Sequence, residues 1–184
     1  YDFFDLKGII YAMLTRFGIK AEVKYVTDNA AFHPGRTAAI CVNDDVIGIF
    51  GETSPKVTDN YGLEHRVYLA EIDIEKILKY KNTEWKYESL PKYPSMVRDL
   101  AVIVKDEVLA GDMEKEIKKV NPYLIESVEL FDVYKGEHIT EGYKSTAFSV
   151  TYRNKERTMK EKEVEKIHEK ILQELSKKFE AVLR

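Results

Sequence analysis

Cysteine is almost absent: Cys41, within the apolar run Ala39-Ile40-Cys41-Val42, is the only one among 184 residues. A lone thiol excludes an internal disulfide and a cysteine-built metal cluster, and it fits a reducing, cytoplasmic setting. In that run it reads as buried packing, because free cysteine behaves as a small hydrophobe. Long apolar runs are missing too. No segment approaches the roughly 18 apolar residues of a membrane span, and no signal-peptide pattern opens the chain. Nor is there an excess of positive charge. The net charge is −3, with 18 Lys+Arg against 18 Asp+Glu in residues 91–184 and 11 against 14 in residues 1–90. Such a balance argues against a protein that coats nucleic-acid phosphates generically, so any RNA contact has to be local or one part of a larger surface. Metal and nucleophile signatures are lacking as well. His65, His138 and His168 show no metal-ligand spacing among themselves. No nucleophile–base pair stands out, so no catalytic residue is assigned. His33-Pro34-Gly35-Arg36 has the look of a catalytic motif, but without an evident carboxylate or cysteine partner it reads as a turn feeding the Ala38 strand.

What is present is the ordinary material of a globular protein, 44% hydrophobic and 33% charged. Residues 1–80 read as one mixed unit. Phe3, Leu6, Ile10, Met13, Leu14 and Phe17 recur at helical spacing, and Gly18 is placed to stop that helix. Short β-type runs follow at Ala21–Val26, Ala38–Val42, Val46–Phe50 and Val67–Ile72, with a hairpin turn at Asn43-Asp44-Asp45. Asp73 then caps a short helix bearing Ile74, Ile77 and Leu78. Helices beside an antiparallel sheet are the natural packing. Residues 81–93 are aperiodic and read as a linker. Trp85, Tyr87 and Tyr93 suit a segment that lies against protein rather than a free tether.

Residues 94–184 are more legible. Arg98–Val104 is predicted as a strand, Asp112–Val120 as a helix with Met113, Ile117 and Val120 on one face, and Ser127–Tyr134 and Lys144–Tyr152 as strands. Thr158 and Glu161 have capping-box spacing and open a helix with Val164, Ile167, Ile171, Leu175 and Phe179 inward and His168 beside them. Ala181–Arg184 closes with a short strand. The order is βαββαβ, a ferredoxin-like split βαβ domain whose two helices cover one sheet face.

Alternation describes the other face. Thr146, Phe148, Val150 and Tyr152 point one way, toward the helices, leaving Ser145, Ala147, Ser149 and Thr151 exposed. Leu100, Val102 and Val104 read as core and Ala101 as outward. Phe131 and Val133 read as core, Asp132 and Tyr134 as outward. Val128 and Leu130 also look buried, which requires a bulge near Leu130–Phe131. A face carrying an aromatic ring, a carboxylate and small residues suits a single-stranded base: the ring stacks, the carboxylate accepts from base N–H groups, and the small residues make room. Ferredoxin-like sheets also bind amino acids, metals and other subunits, so the fold alone does not decide function. A ligand-sensing regulatory domain is the alternative reading, although the segment Asp106–Gly111 is poor in the glycine that an effector loop needs.

Four ordered blocks resemble the ferredoxin-fold anticodon-binding domain of the phenylalanyl-tRNA synthetase family: Tyr93–Val102, Glu126–Gly136, Gly142–Ser145 and Arg153–Thr158. Asp2–Gly8, Phe32–Arg36 and Ile47–Pro55 resemble the catalytic-like module of the same family's bacterial β subunit, and the chain is similar to that subunit's C-terminal part. The resemblance implies an α+β fold, a class II synthetase-like antiparallel sheet with helices followed by the ferredoxin-like domain. It implies a partnership with the GAA anticodon of tRNA-Phe and with the α subunit of an α2β2 heterotetramer, and none with a membrane or DNA. ATP and Mg2+ belong to the holoenzyme, with no cofactor or catalytic residue in this chain. No arginine follows Gly48–Gly51 closely enough to serve an ATP site. Carried over by motif, Tyr134 stacks on the first anticodon base, Ala101, Asp132 and Ser145 line its pocket, and Arg184 contacts the RNA backbone.

Overall fold

The structure, a computed structural model, describes every residue except 83, 85, 86 and 88. The chain divides into two compact units, Tyr1–Glu88 and Ser89–Arg184.

The first unit runs α1 (Phe3–Arg16), β1 (Glu22–Tyr25), β2 (Phe32–Val42), β3 (Asp45–Thr53), α2 (Pro55–Asn60), β4 (Tyr68–Ile72) and α3 (Ile74–Tyr80). The strands form an antiparallel sheet in chain order. Asp2 starts α1 by accepting from the Phe4 and Asp5 N–H groups at 2.7 and 3.0 Å, while Asp5 accepts from the Asp2 N–H at 2.6 Å. This reciprocal cap satisfies donors that the first helical turn leaves over. Gly18 ends the helix at φ 66°, and a Cβ there would run into the Asn82 carbonyl, so glycine is required twice over. Asn43 and Asp44, both at positive φ, close the tight turn between Val42 and Asp45, matching the twist of a two-residue hairpin. Asp73 caps α3 through the Lys76 N–H at 3.1 Å. Ile10 and Leu14 of α1 and Ile77 of α3 are buried with Ile40, Ile47 and Phe50 of the sheet. Phe3 stacks on Phe50 at 5.0 Å.

Two local features differ from expectation. Helix α2 has no hydrophobic period to announce it; Pro55 at its first turn and Thr58, whose hydroxyl donates to the Pro55 carbonyl, shape it instead. His33–Arg36 is not a separate turn. It belongs to β2 as an irregularity in pairing, the register passing from Phe32 opposite Thr53 to Thr37 opposite Gly51. The Gly35 N–H donates to His33 Nδ1 at 3.0 Å, and the Thr37 hydroxyl to the His33 carbonyl at 2.6 Å. Arg36 also has a carboxylate partner that the sequence did not reveal. Buried Glu52 on β3 accepts a hydrogen bond from the Arg36 Nη2 at 2.9 Å, and the Arg36 Nε lies 2.5 Å from the same carboxylate as an ion pair.

The second unit runs β5 (Met96–Lys105), α4 (Ala110–Val120), β6 (Ile125–Tyr134), β7 (Tyr143–Tyr152), α5 (Glu161–Phe179) and β8 (Val182–Leu183). The sheet order is β6-β7-β5-β8, the expected βαββαβ arrangement. Met113 and Ile117 from α4 and Val164, Ile167, Ile171 and Leu175 from α5 are buried against Leu100, Val102, Val104, Phe148, Val150 and Tyr152. Each such side chain contributes about 1.5–3 kcal/mol on leaving water. The expected bulge is present: Leu130 lies opposite Phe148, and Asp132, not Phe131, opposite Ala147.

Three expectations are corrected. Helix α5 begins at Glu161, not after Thr158, because Met159 is drawn into the core. The cap falls on Lys160, whose backbone N–H donates to Glu163 at 2.9 Å. The Arg157 guanidinium, with that N–H, holds the Glu163 carboxyl down at about 2. Leu130, Phe131 and Val133 are exposed rather than core; they lie in the second half of β6, the edge strand of the sheet. Tyr87 is 89% exposed and does not lie against protein. Tyr93 is partly buried, its carbonyl accepting from Arg153 Nη1 at 2.5 Å, and Trp85 lies outside the described residues. Among the described residues no helix is long and apolar enough to cross a membrane.

Candidate nucleic-acid interface

The pairing registers determine which side chains share the sheet face that α4 and α5 leave uncovered, because cross-strand partners lie on the same side and alternate residues on opposite sides. Leu100, Val102 and Val104 face the helices, so Ala101, Ile103 and Lys105 face the other way. Ala101 pairs with Ala147, and Ala147 with Asp132. Two residues further along the strands, Ile103 pairs with Ser145, and Ser145 with Tyr134. On the far side β8 pairs Val102 with Leu183, and the Arg184 N–H donates to the Ala101 carbonyl at 3.1 Å. Ala101, Asp132, Tyr134, Ser145 and Arg184 therefore stand together in two adjacent rows, with Ala147 and Ile103 between them.

The bulge makes this possible. Without the extra residue between Leu130 and Asp132, Val128 facing the core would send Asp132 and Tyr134 toward the helices, since all three have the same parity. Gly136 then makes room for Tyr134, whose hydroxyl lies where a Cβ at 136 would be.

Arg184 is tied to this face. Its Nη1 donates to Ser145 Oγ at 3.4 Å, and its guanidinium lies 5.4 Å from the Tyr134 ring centroid. Ser145, its partner, is 2% exposed and Ala147 8%, whereas alternation along the strand places both in the open. Asp132 and Tyr134 remain accessible. The face thus presents an aromatic ring, a carboxylate and a guanidinium above a floor of small side chains. That set can stack on a planar ring, accept from its N–H edge and neutralise a phosphate. Among the described residues no group of three or more His, Cys, Asp and Glu side chains is placed to hold a metal. A shallow groove of about 380 Å³ between α4 and α5, lined by Glu116, Lys119 and Lys170 among others, lies on the helix side.

Ile103 and Ala147 were not singled out as site residues from sequence. Their place in the rows follows from strand pairing, which alternation within one strand does not reveal.

The ferredoxin-like domain falls in a known class: residues 91–184 match the family model described as "Ferredoxin-fold anticodon binding domain". Residues 1–74 match "Phenylalanyl tRNA synthetase beta chain CLM domain". The chain belongs to the phenylalanine–tRNA ligase β-subunit family. It is 42% identical over 184 residues to the "Phenylalanine--tRNA ligase beta subunit" of Clostridium tetani, and 39% over 185 residues to that of Clostridium acetobutylicum. The Bacillus subtilis subunit is 38% identical over 184 residues. In each case the match covers all of this chain and 23% of the relative's length. A ligand-sensing regulatory domain is not favoured by these matches.

Proposed function

We propose that residues 94–184 bind the anticodon loop of tRNA-Phe within a phenylalanine–tRNA ligase. Residues 1–80 serve as part of a catalytic-like module without aminoacylation chemistry, and residues 81–93 link the two. The observation that carries this reading is the convergence of Tyr134, Asp132, Ser145, Ala101 and Arg184 on one uncovered sheet face. Tyr134 offers its ring to the first anticodon base. Asp132 accepts from the Watson–Crick N–H groups of that base, a guanine in the GAA anticodon, and a carboxylate is the acceptor-only partner such an edge requires. Ala101 and Ser145 keep the floor shallow. Arg184, released from the ring, meets the RNA backbone. ATP and Mg2+ are handled by the α subunit and other β segments of an α2β2 assembly in the cytoplasm, and this chain supplies no catalytic group.

The test is binding of the chain to two anticodon stem-loops, one carrying GAA and one with the first base changed. Tighter binding of the GAA loop is expected; equal binding of both removes the case for a base-reading face.

A further inference from the structure

We infer that Tyr143 is a second stacking platform, taking the base adjacent in the loop to the one on Tyr134; the inference rests on the anticodon-face reading above. Tyr143 opens β7, two residues before Ser145, and therefore stands on the same side of the sheet as Ser145 and Ala147. Because Ser145 pairs with Tyr134, Tyr134 and Tyr143 are diagonal neighbours across β6 and β7, about 7–8 Å apart. The two rings are similarly accessible, at 36% and 37%. The Tyr134 hydroxyl lies over Gly136, so its ring leans along the strand toward the end where Tyr143 stands. Arg184 comes from the opposite side, the row of Ala101. The Tyr143 row is continued on β5 by Lys105, whose ammonium pairs with exposed Glu180 at 2.8 Å.

The spacing selects the ligand. Stacked neighbours along a strand are about 3.4 Å apart and cannot lie on both rings. Two adjacent bases splayed out of the stack reach the separation, and splayed bases of single-stranded loops are what aromatic side chains on open sheets take. Tyr143 is indifferent to base identity, since every base has a π-face. It adds affinity, whereas Asp132 discriminates.

The experiment measures binding of the chain to the GAA stem-loop for wild type, Tyr134→Ala, Tyr143→Ala, Tyr143→Leu and Tyr143→Phe, and repeats each with loops abasic at either neighbour of the first anticodon position. Tyr143→Ala and Tyr143→Leu are expected to weaken binding about five- to 150-fold, and Tyr143→Phe to stay close to wild type. Leucine keeps apolar bulk without a ring, so its loss identifies stacking rather than a folding defect. With one of the two abasic loops, Tyr143→Ala should cost nothing further. Wild-type binding by Tyr143→Ala, with Tyr134→Ala weakened, overturns the inference and leaves the face standing. Unchanged binding by Tyr134→Ala as well overturns both.

Discussion

The Arg184 guanidinium stacks 5.4 Å from the Tyr134 ring centroid while its Nη1 donates to Ser145, so in the free chain the C-terminal residue occupies the space above the ring. Magnitudes decide whether this blocks a base. An exposed cation–π contact is worth about 0.5–1 kcal/mol, and stacking of a base on an aromatic about 1–3 kcal/mol. In the proposed complex the base prevails, and the displaced guanidinium is left to meet the RNA backbone. Arg184→Gln is therefore expected to lower the slope of log K against log salt by about 0.7, the share of one phosphate on a single strand. Stem-loop binding measured at four or five salt concentrations checks this, and an unchanged slope means that Arg184 meets no phosphate.

Tyr134→Ala in the full synthetase should weaken tRNA binding about five- to 150-fold with amino-acid activation intact, and Tyr134→Phe should lose far less because the ring survives. Asp132→Asn keeps the shape but replaces one acceptor with a donor. It should relax discrimination at the first anticodon base more than it lowers overall affinity. Charging of the wild-type tRNA and a first-base variant separates the two effects.

His168 predicts a pH dependence of stability. The fully buried Tyr152 hydroxyl shares a 3.0 Å hydrogen bond with His168 Nδ1. Burial, with the nearby Arg98 charge, holds the imidazole below its ordinary 6.5, and burial pushes the Tyr152 hydroxyl up to about 12. Tyr152 therefore keeps its proton and His168 stays neutral, so the hydrogen bond joins two uncharged groups. With its folded pKa depressed, His168 binds fewer protons in the folded than in the unfolded chain, so its contribution is complete above about pH 6.5. It is lost as pH falls from there through the lower folded value. Denaturant midpoints at pH 7.5 and 5.5 should drop more for wild type than for His168→Gln, which keeps a hydrogen-bonding partner for Tyr152 but does not titrate.

Glu52 tests the first unit. Burial alone would raise its carboxyl, but Arg36, Arg66 and the Tyr68 hydroxyl hold it below the usual range. Glu52→Ala leaves half-exposed Arg36 without its carboxylate partner and the Tyr68 hydroxyl without an acceptor at 3.3 Å. A loss of about 1–3 kcal/mol is expected, read as a lower thermal midpoint. An unchanged midpoint would show the pair to be neutral in net terms.

Local and periodic features could be read from the residues alone. The α1 stripe, its Gly18 stop, the Asp73 cap, the Asn43-Asp44 turn and the inward faces of α4 and α5 were legible because each depends on residues within a few positions of one another, whereas the Asp2 cap of α1 emerged only in the structure. The bulge was legible too, as a conflict between Val128 and Asp132 over which face to take. Tertiary structure decided the rest, because burial depends on what lies opposite. Phe131 and Val133 look like core yet stand exposed on an edge strand; Ser145 and Ala147 look like surface yet are buried, Ser145 with a partner 39 residues away. Thr158 and Glu161 have the spacing of a cap, but packing of Met159 moved the helix start beyond it. The carboxylate partner of Arg36 was likewise invisible, since strand pairing brings Glu52 to it from 16 residues away.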